Sequence, residues 1–337
     1  MLRFRATIIL AALPLLSWAQ IAAAQDGLRF DSPVACPATF GCVVRNFVDL
    51  DPGPEAHDQT CGNVTYDGHK GVDIRVPDSN SLVRGVKVLA AADGIVLRLR
   101  DEMPDVSIRE TDAEAVKDRE AGNSIIIDHG YGWQTQYGHL RLNSIRVRPG
   151  DIVRAGQPIA LIGLSGNTEF LHLHFEIRYN GEPIDPYSGL PLGGGCGKPA
   201  HPLWTETALA QLPYRADAPF DAGFATGKVD FAAARAGAYA ADSLRADVPA
   251  LVFWAEALGP RAGDQETIRL IDPDGTELVD TTETLADTKV QRSRFAGVRR
   301  PESGWAPGIY RGEYIVRRKE SGQTKTVVEI TREIELR

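Results

Sequence analysis

A chain of 337 residues, 43% of them apolar and 24% charged, is long enough for two cored domains and too apolar to be disordered. Its formal net charge is −8, from 37 Lys and Arg against 45 Asp and Glu. That balance argues against nucleic acid as a partner, and any polyanion must be recognised locally rather than by bulk attraction.

The first residues carry Arg3 and Arg5, then an apolar run, then Ala22-Ala23-Ala24, the pattern of a secretory signal peptide over residues 1–24. Pro14, Ser17 and Gln20 leave the run too short and too polar for a good membrane span. Without this segment 35 basic residues face 45 acidic ones, a formal charge of −10. Residues 25–60 read as an N-terminal extension holding a disulfide. An exported chain with four cysteines, Cys36, Cys42, Cys61 and Cys196, is expected to form two disulfides. Three pairings exist; Cys36 with Cys42 and Cys61 with Cys196 is favoured, the second tying the start of a domain to its end. No CxxC pair is present, which argues against a cysteine zinc cluster.

Residues 61–195 read as one domain of short strands. VKVLAAADGIVLRLR, SIIIDHG, WQTQYGH, SIRV, PIALIGL and HLHFEIRYN each stop at turn formers such as Asp93-Gly94, Pro149-Gly150 and Asn180-Gly181. The spacing predicts a mainly β fold, a compact antiparallel sheet or barrel-like domain. A charged insertion at 102–123, with a short helix, is either a solvated excursion or a wall beside a cleft. The Gly- and Pro-rich run at 193–202 marks a boundary. After a connector helix near 203–211, alternating strands predict a small, Ig-like β-sandwich over 203–337. Trp254, Trp305 and Tyr310 there are read as core rings rather than a ligand-stacking patch.

The chemistry centres on LHLHFEI at 171–177. In a strand, His172 and His174 share one face while Leu173 and Phe175 share the other, and two adjacent imidazoles are poor core filler. Upstream, in YDGHKGVDIRVPD, His69 and Asp73 stand four apart, with Gly71 allowing a close chain passage. Catalytic zinc takes imidazole nitrogen and carboxylate oxygen from three protein ligands and keeps one position for water; His69, Asp73 and one histidine of the pair complete that count. His139, in QYGHL, is placed to face the same cleft. Glu176 lies on the histidine face by parity and is read first as a structural ion-pair or hydrogen-bond partner. No HExxH is present, and His57, His129 and His201 fall in turns or polar loops outside the site.

HKGVD, IIIDHGYGWQTQYGHL and VRPGDIVRAGQPIALIGLSGNTEFLHLHFEIRYNGEPIDP, in that order, resemble the lysostaphin or LytM-type zinc metallopeptidases over roughly residues 60–187. The resemblance implies one Zn2+ per chain held by His69, Asp73 and His174, with His139 and His172 as the catalytic histidines. It implies stem or cross-bridge peptides of peptidoglycan as substrate, cut by a D,D-endopeptidase. The expected place is the periplasm of a diderm bacterium, with secretion as the alternative. The chain is expected to be a monomer, with a C-terminal domain that binds glycan or an envelope protein or covers the groove. A rival reading is a LytM-like regulator that activates a separate wall amidase. One departure stands out: the family commonly has a glycine shortly before HLHFE, whereas Thr168-Glu169-Phe170 precedes Leu171 here, so the groove beside His172 is expected to differ in shape.

Overall fold

The computed structural model describes residues 27–337 except positions 40 and 112; the expected signal peptide lies outside the described residues. Ten strands build the first half: β1 (Val43–Asn46), β2 (Val72–Arg75), β3 (Lys87–Leu89), β4 (Gly94–Arg100), β5 (Asn123–Gly130), β6 (Trp133–Leu140), β7 (Ile152–Val153), β8 (Pro158–Leu161), β9 (Leu173–Tyr179) and β10 (Glu182–Ile184). They form an antiparallel sheet in the order β1-β2-β9-β6-β5-β4-β7, with β10 also on β9, and a separate β3-β8 ribbon.

Alternation gives this sheet two different faces. Val72, Ile74, Leu173, Phe175, Ile177, Tyr137, Ile125 and Ile127 are all buried on one side, where they join the larger apolar core of the molecule. Asp73, His174 and Gly138 lie in one cross-strand row on the other side. Residues 43–46, read from the sequence as part of an extension, supply the edge strand next to β2. The expected strand at 144–147 does not form: Arg146 N donates to Ile159 O at 2.9 Å, but no ladder continues from it. The 102–123 insertion holds a 3-10 turn at Ile108–Glu110 and one helical turn at Ala113–Val116. Cys36–Cys42 and Cys61–Cys196 are both disulfide-bonded. The second closes a separation of 135 residues, a restriction of the unfolded chain worth about 5 kcal/mol.

The second half comprises β11 (Ala218–Ala225), β12 (Ser243–Leu244), β13 (Ala250–Leu258), β14 (Gln265–Ile271), β15 (Glu277–Thr284), β16 (Gln291–Arg299), β17 (Gly308–Glu320) and β18 (Gln323–Leu336). Two sheets, β11-β13-β16 and β12-β18-β17-β14-β15, enclose a core that includes Phe253, Leu270, Tyr314, Val316 and Ile330. Trp254, Trp305 and Tyr310 are buried, as core rings should be. The connector contains a helix at Glu206–Gln211, and a further short helix at Phe231–Arg235 has no counterpart in the sequence reading.

Asp185, just after β10, is fully buried; its Oδ2 accepts from Ser188 N and Ser188 Oγ, and its Oδ1 has no partner. Burial, only partly offset by the Ser188 bonds, pushes its carboxyl up to about 6. A folded pKa above the unfolded one means that stability is fully present below about pH 4 and is lost as pH rises through about 6, by at most roughly 3 kcal/mol. Chemical denaturation from pH 4 to 7 is expected to show this fall in the wild type and to lose it in Asp185→Asn.

Candidate metal centre

The site is a product of register. Asp73 on β2 stands opposite Asn46 on β1 and His174 on β9, and His174 stands opposite Gly138 on β6. Directly paired residues project to the same face, so Asn46, Asp73 and His174 meet above the sheet. His69 enters from the loop before β2. Gly71 is obligatory in that loop, because a Cβ there would sit 2.5 Å from Phe175 O and 2.9 Å from the His174 ring.

His69 Nε2, Asp73 Oδ1 and His174 Nδ1 lie within 3.0–3.3 Å of one another. A tetrahedral ion with bonds of about 2.0–2.1 Å has donor-to-donor edges of roughly 3.3 Å, so the spacing suits a zinc-sized cation. The proton inventory points the same way. His69 Nδ1 donates to Phe47 O at 2.7 Å and His172 Nδ1 donates to Phe170 O at 2.9 Å, because a carbonyl can only accept. In the neutral rings both Nε2 atoms are therefore bare, and they face Asp73 Oδ1 at 3.2 and 3.3 Å. Lone pairs of two nitrogens and a carboxylate that converge from buried side chains call for a cation between them. Burial disfavours charge on His69, but Asp73 outweighs it and raises the imidazole pKa; burial likewise opposes ionisation of Asp73, and His69 and His172 outweigh it and hold the carboxyl well below its usual range.

Asp73 Oδ2 is occupied separately, accepting from Asn46 Nδ2 at 2.7 Å. Arg45 Nη1 donates to Asn46 Oδ1 at 2.8 Å, which orients the amide with its NH2 towards the carboxylate. Tyr66 stacks on His69 with centroids 4.4 Å apart.

His139 and His172 stand beside this cluster, their rings 4.7 Å apart, and His139 is 5.9 Å from His174. His139 has φ +56°, a left-handed conformation unusual for a residue with a Cβ; the turn is pinned by His139 N to Ala121 O at 2.7 Å and Gly163 N to His139 O at 3.0 Å. Its Nδ1 donates to Ser165 O at 2.8 Å, leaving Nε2 as a bare acceptor. Burial, then the neighbouring His172 and His174, hold its pKa well below the usual imidazole value.

The five residues that the sequence singles out as ligands or catalytic groups are thus brought together. Glu176 is an ion-pair partner, gripped by Arg178 Nε at 2.7 Å and Arg178 Nη2 at 2.9 Å. His129 is engaged by Asp93 O and Thr135 Oγ1. A second cluster, Asp51, Glu55 and His57, lies in a loop outside this site, where His57 Nδ1 bonds Asp51 Oδ2 at 3.0 Å. Asn46, Arg45 and Tyr66 join the site without a mark in the sequence. Only the strand register and the loop path bring them there, and nothing in their local sequence signals it.

Two cavities of about 310 and 380 Å³ flank the cluster. The first is walled by Lys70, Glu120 and Gln136, the second by Asn46, Ile108 and Phe170, and Tyr66, His139 and Asn167 border both. Ile108, Glu120 and Ala121 come from the insertion, which therefore serves as a wall of the groove.

Residues 67–186 match Peptidase family M23. The chain carries an M23 domain. Among curated relatives, it is 32% identical over 117 residues to the peptidoglycan DD-endopeptidase ShyB of Vibrio cholerae, covering 35% of this chain and 22% of that protein. It is 36% identical over 138 residues to the outer membrane antigenic lipoprotein B of Haemophilus influenzae, covering 39% and 28%. The chain thus spans well under half the length of either relative. A solved zinc-containing peptidase from Vibrio cholerae aligns with 26% identity over 47% of this chain and 39% of that one, at a TM-score of 0.31.

Asn46→Ala frees Asp73 Oδ2 and is expected to weaken retention of a divalent ion by about 10–100-fold, because removing a hydrogen-bond partner of a liganding carboxylate loosens its aim. Competition with a chromogenic chelator measures it; an unchanged dissociation constant contradicts this role.

Proposed function

We propose that the protein is a zinc-dependent endopeptidase that hydrolyses peptide cross-links of peptidoglycan, as a D,D-endopeptidase. The observation that carries the reading is the convergence of two imidazoles and a carboxylate at tetrahedral-edge spacing, with two more imidazoles alongside, in a groove open on both sides. His69, Asp73 and His174 would hold the ion, which when bound supplies Lewis acidity to a water and to the scissile carbonyl. His139 and His172 would handle protons. Each has its Nδ1–H tied to a main-chain carbonyl, so each offers Nε2 as the acceptor, and His139 is kept neutral by burial. An imidazole that takes a proton from water can return it to the leaving amine, which completes the hydrolysis without a carboxylic base.

The two cavities accept an extended peptide across the cluster, one side of the cut in each. The peptidoglycan substrate is supported by the M23 match and by the endopeptidase name of the Vibrio relative. A periplasmic or envelope location is supported by the names of the relatives and by the two disulfides, which persist in oxidising compartments. One ion per chain and a monomeric chain are part of the proposal.

Purified sacculi incubated with the protein are expected to release uncross-linked muropeptides. A chelator should stop the release and added zinc restore it, and His69→Ala or His174→Ala should lower the rate by at least about a hundredfold. Release that continues in those variants contradicts the mechanism. An inert wild type that instead stimulates a wall amidase favours the regulator.

A further inference from the structure

The C-terminal half reaches the back of the site through a buried, charged contact made by one of its strands. Asp221 on β11 pairs with Arg75 on β2, two residues beyond Asp73, and both side chains are fully buried. Asp221 Oδ1 also accepts from Ser79 N at 3.2 Å and Ala222 N at 2.8 Å, and Ser79 Oγ donates to its other oxygen. Arg75 Nη1 donates to Leu171 O at 3.1 Å, on the residue before His172. The guanidinium lies 4.6 Å from the centroid of Phe220, which precedes Asp221. Phe220 meets Phe170 edge-on at 5.5 Å, and Phe170 stacks on the His172 ring at 4.3 Å with an interplanar angle of 24°. Phe170 O accepts the Nδ1–H of His172, and Leu171 N reaches Arg235 O, also beyond the boundary, at 3.4 Å.

Both faces of the short segment 168–172 are thereby constrained. On the groove side His172 presents Nε2 to Asp73. On the other side Phe170 rests on Phe220, in a small cluster with Val43, Ala218 and Leu258. A ring that is stacked on one face and hydrogen-bonded through Nδ1 to the same residue has one orientation, and that residue is itself seated on the sandwich. The insertion also holds this segment, through Ile108 N to Thr168 O at 2.9 Å and Arg109 Nη2 to Glu169 Oε2 at 2.8 Å, but neither bond is made to Phe170 or His172; Thr168 Oγ1 donates to Phe170 O at 3.0 Å within the segment itself.

We propose that the C-terminal sandwich is a positioning element for His172: Phe220 and Asp221 of β11 hold Phe170 and Arg75, and through them keep the imidazole Nε2 aimed into the groove. The statement rests on the endopeptidase reading for its effect on rate, but not for the geometry. It assigns the sandwich a part in the reaction without contact to substrate, and it accounts for an aromatic at position 170.

The test uses the full chain with Phe220→Ala, Phe220→Leu and Asp221→Asn; Phe220→Leu keeps an apolar side chain under Phe170 and leaves the buried ion pair intact in case removal of the ring or of the charge impairs folding. On a soluble cross-linked muropeptide, Phe220→Ala is expected to keep one zinc per chain and to lower kcat about tenfold or more, with KM within about twofold. Phe220→Leu, which refills the space under Phe170, should recover most of kcat, and Asp221→Asn should lower kcat in the same manner. Independently of activity, 15N-histidine spectra of the metal-free protein should show the His172 Nδ1–H signal in the wild type and lose it to solvent exchange in Phe220→Ala. Folded variants with unchanged kcat and an unchanged His172 signal overturn the proposal. An inert wild type contradicts the endopeptidase reading alone; the histidine signal then decides, its loss in the variants supporting the positioning role and its persistence overturning it.

Discussion

Three imidazole nitrogens stand within 3.3 Å of one oxygen of the buried Asp73 carboxylate, and two of them have their protons committed elsewhere. Such a cluster is costly to assemble unless a cation satisfies it, because burial removes the water that would otherwise screen the lone pairs. Much of the surrounding structure serves to impose the arrangement. The antiparallel register sets Asn46, Asp73 and His174 in one row, Gly71 lets the His69 loop pass over β9, and Gly138 leaves the next position on β6 without a side chain. Main-chain carbonyls of Phe47, Ser165 and Phe170 then fix the tautomer of three rings.

Fold class and the central side chains were legible because they depend on short-range pattern. Alternation alone places His174 and Glu176 on one face of β9 and His172, the residue just before the strand, in phase with them, and turn formers delimit most strands. What could not be read depends on pairings between distant segments. Asn46 reaches Asp73 only through a strand pairing that contains a bulge between Val44 and Asn46, and Asp221 meets Arg75 across 146 residues. The left-handed backbone at His139 has no local marker, since glycine, the usual resident, is the residue before it. The missing strand at 144–147 shows the converse: an alternating tetrapeptide with a single main-chain bond to Ile159 and no continuing partner forms no ladder.

The two halves of the chain differ in how they relate to chemistry. The insertion at 102–123 contributes directly, as a wall against both cavities. The sandwich contributes from behind, through a buried ion pair whose partners would each be left uncompensated if the other were removed. Trp254 and Trp305 are buried in its interior, so what it offers the site is Phe220 and Asp221 of β11 and the main chain at Arg235 rather than an aromatic platform.

The most direct examination of the central claim is zinc K-edge X-ray absorption on the purified protein, with metal content measured on the same sample. The expected result is one zinc per chain in a shell of nitrogen and oxygen at about 2.0–2.1 Å, with the scattering of two imidazoles and no sulfur. A protein that retains no zinc at equimolar supply, or a shell that survives replacement of Asp73 and His174 together, would contradict it.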